Sequence, residues 1–173
     1  MSDHKDKIQH LFNQDAIDKI KEMANDIKVC MMCTNLDEKP TPSRPMALSE
    51  VDNNANLWFI SSSQSNKNTE IENDSDVQLF FSKNADSHFL SLFGQASIYT
   101  DRKTIEEVWK PIDKTWFEDG KEDPDVTVIK VTPQDAYYWD TKDGKMISML
   151  KWAKGAITGD VSDDGGIEGK LNI

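Results

Sequence analysis

"TPSRPMALSEVDNNANLWFISSSQSNK", from Thr41 to Lys67, decides how the chain is read. Prolines at 40, 42 and 45 exclude helix around "SRPMAL", so this stretch is extended. Proline also removes ladder donors, which places the strand at an edge or makes it irregular. "VDNNAN" reads as a turn and "LWFISS" as a short buried strand. A serine run then leads into "NKNTEIEN", which has the start signals of a short helix. One reading is an ordinary hairpin with a solvated polar turn and an exposed arginine. The other gathers phosphate-binding resources: serine hydroxyls, the N–H groups that open a helix, the charge of Lys67, and an Arg44 fork brought alongside by the hairpin. The residues of this stretch leave both open.

The background sharpens the question. The 173 residues carry 20 Lys and Arg against 31 Asp and Glu, a formal charge of −11. Such a field repels nucleic-acid backbones and anionic lipid, so no nucleic-acid partner and no membrane partner is expected. No apolar run reaches the roughly 18 residues of a membrane span, and "MSDHKDKIQH" has no signal-peptide apolar segment, which predicts a cytoplasmic protein. The 37% hydrophobic fraction includes five Trp, seven Phe and three Tyr, enough for one core. Cys30 and Cys33 form a C-x-x-C within an apparent buried strand, where residues three apart face opposite sides. They read as buried apolar thiols, with no metal site.

Outward from that stretch, Ile8, Leu11, Phe12, Ala16, Ile20, Met23, Ala24 and Ile27 recur at helical spacing, with Asp15 a cap should the helix break in two. "IKVCMMCT" predicts a strand and "NLDEKP" a turn. "DVQLFFSK" alternates, with Val77, Leu79 and Phe81 on one face. "HFLSLFGQASIYT" is a long strand with a bulge or bend at Gly94. "DRKTIEEVWK" is a helix capped by Asp101, and "WFEDGKEDPD" an acidic loop flanked by aromatics. "VTVIKV" and "AYYWD" are strands broken at Pro133, and "KMISMLKWAKGAITG" is a closing helix. The expected fold is mainly β with peripheral helices, a barrel within a single domain over 1–155, and a loose tail over 156–173. Trp109, Trp116, Phe117 and Trp139 read either as core or as cover for a planar ligand or subunit interface, as do Tyr137 and Tyr138. His88 reads as structural.

The order of "SRPMAL", "LWFISS", the serines to Lys67, "GQASI", "IEEVWKP", "WFEDGKEDPD" and "AYYWD" resembles the pyridoxamine 5′-phosphate oxidase-like superfamily of FMN-binding split barrels, in its bacterial general-stress-protein branch. The resemblance covers roughly residues 10–155 and implies a homodimer with FMN at the subunit interface. It implies that Arg44 and Lys67 hold the FMN phosphate, helped by Ser61, Ser62 and Ser63. Backbone around Pro45, Met46 and Ala47 would run beside the isoalloxazine ring, and Trp116, Phe117 and Trp139 would come from the partner chain. True pyridoxamine phosphate oxidases end in an Arg-x-His-type substrate segment, whereas this chain has no histidine after His88. Vitamin B6 oxidase activity is therefore not expected.

Together these readings predict an FMN-binding oxidoreductase of unknown substrate with no identifiable catalytic side chain, since the flavin itself supplies redox chemistry. The alternative is a non-catalytic module that stores, shields or senses flavin. A third reading is a barrel that lost flavin or takes a deazaflavin or haem.

Overall fold

The computed structural model describes residues 8–141 and 166–173. Strand β1 (Leu11–Phe12) leads into helix α1 (Asn13–Ile27), and β2 (Val29–Cys33), β3 (Ser43–Ala47), β4 (Glu50–Val51) and β5 (Leu57–Ser62) follow. Helix α2 (Asn66–Asn73) separates β5 from β6 (Asp76–Lys83) and β7 (His88–Tyr99). Then come α3 (Arg102–Val108), two 3₁₀ turns (Pro111–Thr115 and Gly120–Glu122), β8 (Val126–Thr141) and β9 (Gly166–Asn172). The strands form one mixed sheet, ordered β1-β9-β8-β7-β6-β2-β3, with β5 joined to β8 and β4 to β5. This is a split barrel: among the described residues no ladder joins β3 to β5 and closes it.

Local chemistry accounts for the elements. In β6 the alternation places Val77, Leu79 and Phe81 inward, against Leu90 and Leu92 of β7 and Met32 of β2. Asp101 caps α3 by accepting from the Thr104 N–H at 2.9 Å. The β7–β8 register shifts at Phe93/Gly94, and a side chain on Gly94 would strike the Thr132 carbonyl. Helix α1 buries Ala16, Ile20, Met23 and Ala24 in the main core. A smaller core of Ile105, Val108, Phe117, Val126 and Val128 sits beneath α3.

Four expectations are corrected. The first is the helical pattern from Ile8, because helix begins only at Asn13. Ile8 bridges to Glu168 and Leu11–Phe12 pair with Leu171–Asn172, so sheet hydrogen bonds outcompete the local pattern there. Pro133 does not break the strand. It lies where the outer edge of β8 changes partner, from β5 over Val126–Val131 to β9 over Ala136–Thr141, so no ladder bond with either needs its missing N–H.

The expected loose tail is overturned over Gly166–Asn172, which form β9 with Leu171 fully buried. Finally, "SRPMAL" and "LWFISS" are not hairpin partners. β3 pairs with β2 and lies at the sheet edge, whereas β5 pairs with β4 and β8. The closing helix read from "KMISMLKWAKGAITG" lies outside the described residues.

The C-x-x-C behaves as its strand geometry requires. Both thiols are free, and Cys30 is buried while Cys33 is only partly so. Burial pushes the Cys30 thiol up to about 12.

Candidate functional site

A cavity of about 620 Å³ opens between β3, the end of β5, the start of α2 and the loop following α3. That lies within the roughly 300–1,000 Å³ of small-molecule sites. Its lining includes Pro45, Met46 and Ala47 on one wall, Ser61, Ser62 and Lys67 at one end, and Trp116 and Phe117 opposite. β3 lies at the edge of the sheet, so backbone groups facing away from β2 are not committed to a second ladder. Eight of the eleven residues singled out from the sequence therefore line one space, although their strands are not hairpin partners.

The three others lie outside this lining. Arg44 pairs with Glu70 (Nη2 to Oε2, 2.7 Å) and donates to Thr34 Oγ1 at 2.5 Å. The Thr34 hydroxyl in turn donates to the same Glu70 oxygen. Ser63 donates to Asp125 at 2.9 Å. Trp139 stands on the outward face of β8, stacked at a tilt on Tyr137 with ring centroids 4.8 Å apart.

Inside the lining the serines divide by what they have left to give. The hydroxyl of buried Ser61 donates to Asn68 Oδ1 at 2.7 Å, and Asn68 donates to Thr127 Oγ1 at 2.9 Å. A hydroxyl has one proton, so Ser61 has no donor left for an anion. In this arrangement Ser61 ties α2 to β5, and the proton of Ser63 is likewise committed, to Asp125. Ser62 accepts from the Gln64 N–H at 3.2 Å and keeps its proton. Ser65 occupies the position before α2 but makes no side-chain cap, so the first N–H groups of the helix stay available. Lys67 donates to Ser65 Oγ at 2.7 Å. Burial pushes its ammonium below the ordinary lysine range, and the charge of Arg44 pushes the same way, while Glu70 opposes both.

The aromatics also split. Phe117 is buried in the smaller core of its own chain, its ring 6.0 Å from that of Trp109. It lines the cavity while anchored in that core. Trp116 is 79% exposed and stands free at the cavity wall. The lining also carries five carboxylates, Asp113, Glu118, Asp119, Asp123 and Asp125. Lys67 and the start of α2 thus stand among acids, four of them on the loop after α3 and Asp125 beside Ser63 and Gln64 at the α2 end. His88 sits elsewhere, with Nε2 2.8 Å from Asp140 and Nδ1 3.3 Å from Asp26, as a structural histidine would.

Glu70, Thr34, Asn68 and the loop acids were not singled out from sequence. Glu70 lies three residues after Lys67, a helical spacing that puts both on neighbouring positions of α2 and was a readable signal. Thr34 carried none.

Residues 15–163 match the family described as pyridoxamine 5′-phosphate oxidase like, and the chain belongs to that family. Protein bli-3 of Neurospora crassa is 31% identical over 126 residues, 68% of this chain. The chain spans 60% of that relative's length. A structure assigned as general stress protein 26 from Jannaschia sp. CCS1 superposes with a TM-score of 0.75 at 22% identity, covering 92% of this chain and 98% of that one. The general stress FMN/FAD binding protein of Xanthomonas citri has a TM-score of 0.63 at 21% identity, covering 74% and 90%. At those identities the two structures speak for the split-barrel fold.

Proposed function

We propose that this is a flavin-binding protein of the general-stress branch that takes FMN in the β3–α2 cavity. The observation that carries the reading is the set of donors at the α2 end of the cavity. Lys67, Ser62 and the uncapped start of α2 make an anion-binding end, and the edge-strand backbone from Pro45 to Ala47 and the exposed Trp116 ring offer two surfaces for a planar ring. Family membership and the name of the Xanthomonas citri relative point the same way. When bound, flavin would supply electron or hydride transfer. The residues of this chain hold and orient it, with Lys67 and the α2 N–H groups on the phosphate and Arg44 adding charge from behind. The chain assembles as a homodimer in this reading. The outward sheet face supports that, because it carries exposed Val29, Met31, Phe80, Phe89 and Trp139, with Met31 opposite Phe80 and Phe89 opposite Trp139. Its place would be the cytoplasm.

The test is the absorption spectrum of purified protein, followed by titration with FMN and with riboflavin. A flavin spectrum and at least tenfold tighter FMN binding are expected, since a charge-assisted hydrogen bond is worth roughly 1.5–3 kcal/mol. Equal affinities would sink the phosphate end. Turnover of NAD(P)H with an electron acceptor separates an oxidoreductase from a non-catalytic flavin carrier. Pyridoxal phosphate production is expected to be negligible, because no histidine follows His88.

A further inference from the structure

The anion-binding end contains its own anion. Arg44 and Lys67 lie close enough for the arginine to depress the lysine, and Glu70 is the carboxylate that offsets them. Its Oε2 accepts from both Arg44 Nη2, at 2.7 Å, and the Thr34 hydroxyl, while Arg44 Nη1 reaches Thr34 Oγ1 at 2.5 Å. Three groups, on β3, on α2 and on the residue that follows β2, thus close a ring. Thr34 is fully buried, and Arg44 and Glu70 are only partly exposed, which ties the ring down at one corner and leaves its charges near solvent.

We propose that Glu70 is the resident counter-ion of this end: it holds Arg44 in place between ligands and sets how tightly an incoming phosphate is gripped. The inference rests on the flavin reading and assigns the residue that tunes it. Without Glu70, the charges of Arg44 and Lys67 would repel with no carboxylate to offset them. With it, a phosphate meets one uncompensated positive charge instead of two, and must share the guanidinium with a carboxylate already bonded to it. Binding is then an exchange of anions around Arg44. Glu70 acts through Arg44 and Lys67 and is a positioning residue.

Glu70→Gln separates the two roles. The amide oxygen still accepts from Arg44 and Thr34, so the ring persists, while the negative charge is gone. The expected result is a severalfold tighter grip on FMN at low salt, little change for riboflavin, and loss of the gain at high salt as exposed charges are screened. The FMN-to-riboflavin affinity ratio is the readout, because a merely structural role would move both affinities together. A ratio that stays unchanged or falls in Glu70→Gln overturns the proposal. Should that variant fold poorly, the unmodified protein answers by NMR: FMN must shift the Arg44 guanidinium resonances and riboflavin must leave them in place. Guanidinium resonances that ignore FMN overturn it equally. If the unmodified protein fails to distinguish FMN from riboflavin, the flavin-phosphate reading falls, whereas discrimination with an unmoved ratio in Glu70→Gln removes only the role of Glu70.

Discussion

Two side-chain networks fasten helix α2, and they are built on opposite terms. Ser61, Asn68 and Thr127 are neutral and buried, joined by hydrogen bonds from Ser61 to Asn68 and from Asn68 to Thr127. Arg44, Thr34 and Glu70 are charged around one buried hydroxyl and partly open to solvent. A closed neutral network has nothing to offer a ligand, and a vacancy in it is costly because the stranded groups cannot reach water. A half-open charged network contributes little net stability, since exposed pairs are screened, but it can redistribute its bonds when another anion arrives. One network fixes where α2 starts, and the other makes that start responsive.

The largest expected effect breaks the neutral network. Asn68→Ala strands two buried hydroxyls and should cost roughly 2–3 kcal/mol in chemical denaturation, with the FMN-to-riboflavin ratio unchanged. Replacing the whole set, Ser61→Ala with Asn68→Leu and Thr127→Val, should recover part of that loss, because no polar group is left stranded. If Asn68→Ala instead changes the ratio as strongly as stability, the division between the networks is wrong.

Next comes Arg44→Ala, with the pattern reversed. FMN binding should weaken about tenfold or more, riboflavin binding hardly at all, and stability by no more than roughly 1 kcal/mol. Full FMN affinity in this variant would return Arg44 to the role of a decorated edge strand. Lys67→Ala should act in the same direction and less, because water partly replaces a flexible ammonium.

pH sharpens the comparison further. Lys67 is held below the ordinary lysine range by burial and then by Arg44. FMN affinity should therefore start to fall at a lower pH than an ordinary lysine, about 10.4, would dictate, while riboflavin titrations stay flat. Over the same interval the unliganded fold should gain stability as pH rises. There the unfolded chain binds the Lys67 proton more tightly than the folded one does. A gain in FMN affinity with rising pH would contradict the sign of this coupling.

The smallest expected change in stability is at Trp116. With 79% of the residue exposed, Trp116→Ala should leave stability within about 0.5 kcal/mol. Its consequence is optical: bound flavin fluorescence should rise as the neighbouring indole is lost, and unchanged emission would remove Trp116 from the flavin wall.

What was legible in the sequence was what local chemistry alone decides. The α2 boundaries, the Asp101 cap, the alternation of β6 and the bulge at Gly94 all follow from residues within one or two turns of each other. The grouping of Pro45–Ala47 with Lys67 and Trp116 came from the order of motifs, and no spacing rule required it. What was not legible depends on partners distant in the chain. "GIEGKLN" looks loose because Gly169 lacks a side chain, yet any side chain there would strike the backbone of Gln9. Pro133 reads as a breaker unless one knows that β8 changes neighbours beside it. The serines read as phosphate donors until Asn68 and Asp125 are seen to have claimed two of their protons.

β9 has a consequence for how the chain can be shortened. It covers Ala136–Thr141 of β8, a stretch that also carries Tyr137 and Trp139 on its outward face. Removing the last strand would leave the cavity residues in place but uncap six rungs' length of backbone donors and acceptors beside two aromatic rings, a template for pairing with another chain. A version cut at residue 155 should therefore fail by self-association into sheet-rich oligomers, with its ligand chemistry still written in the part that remains.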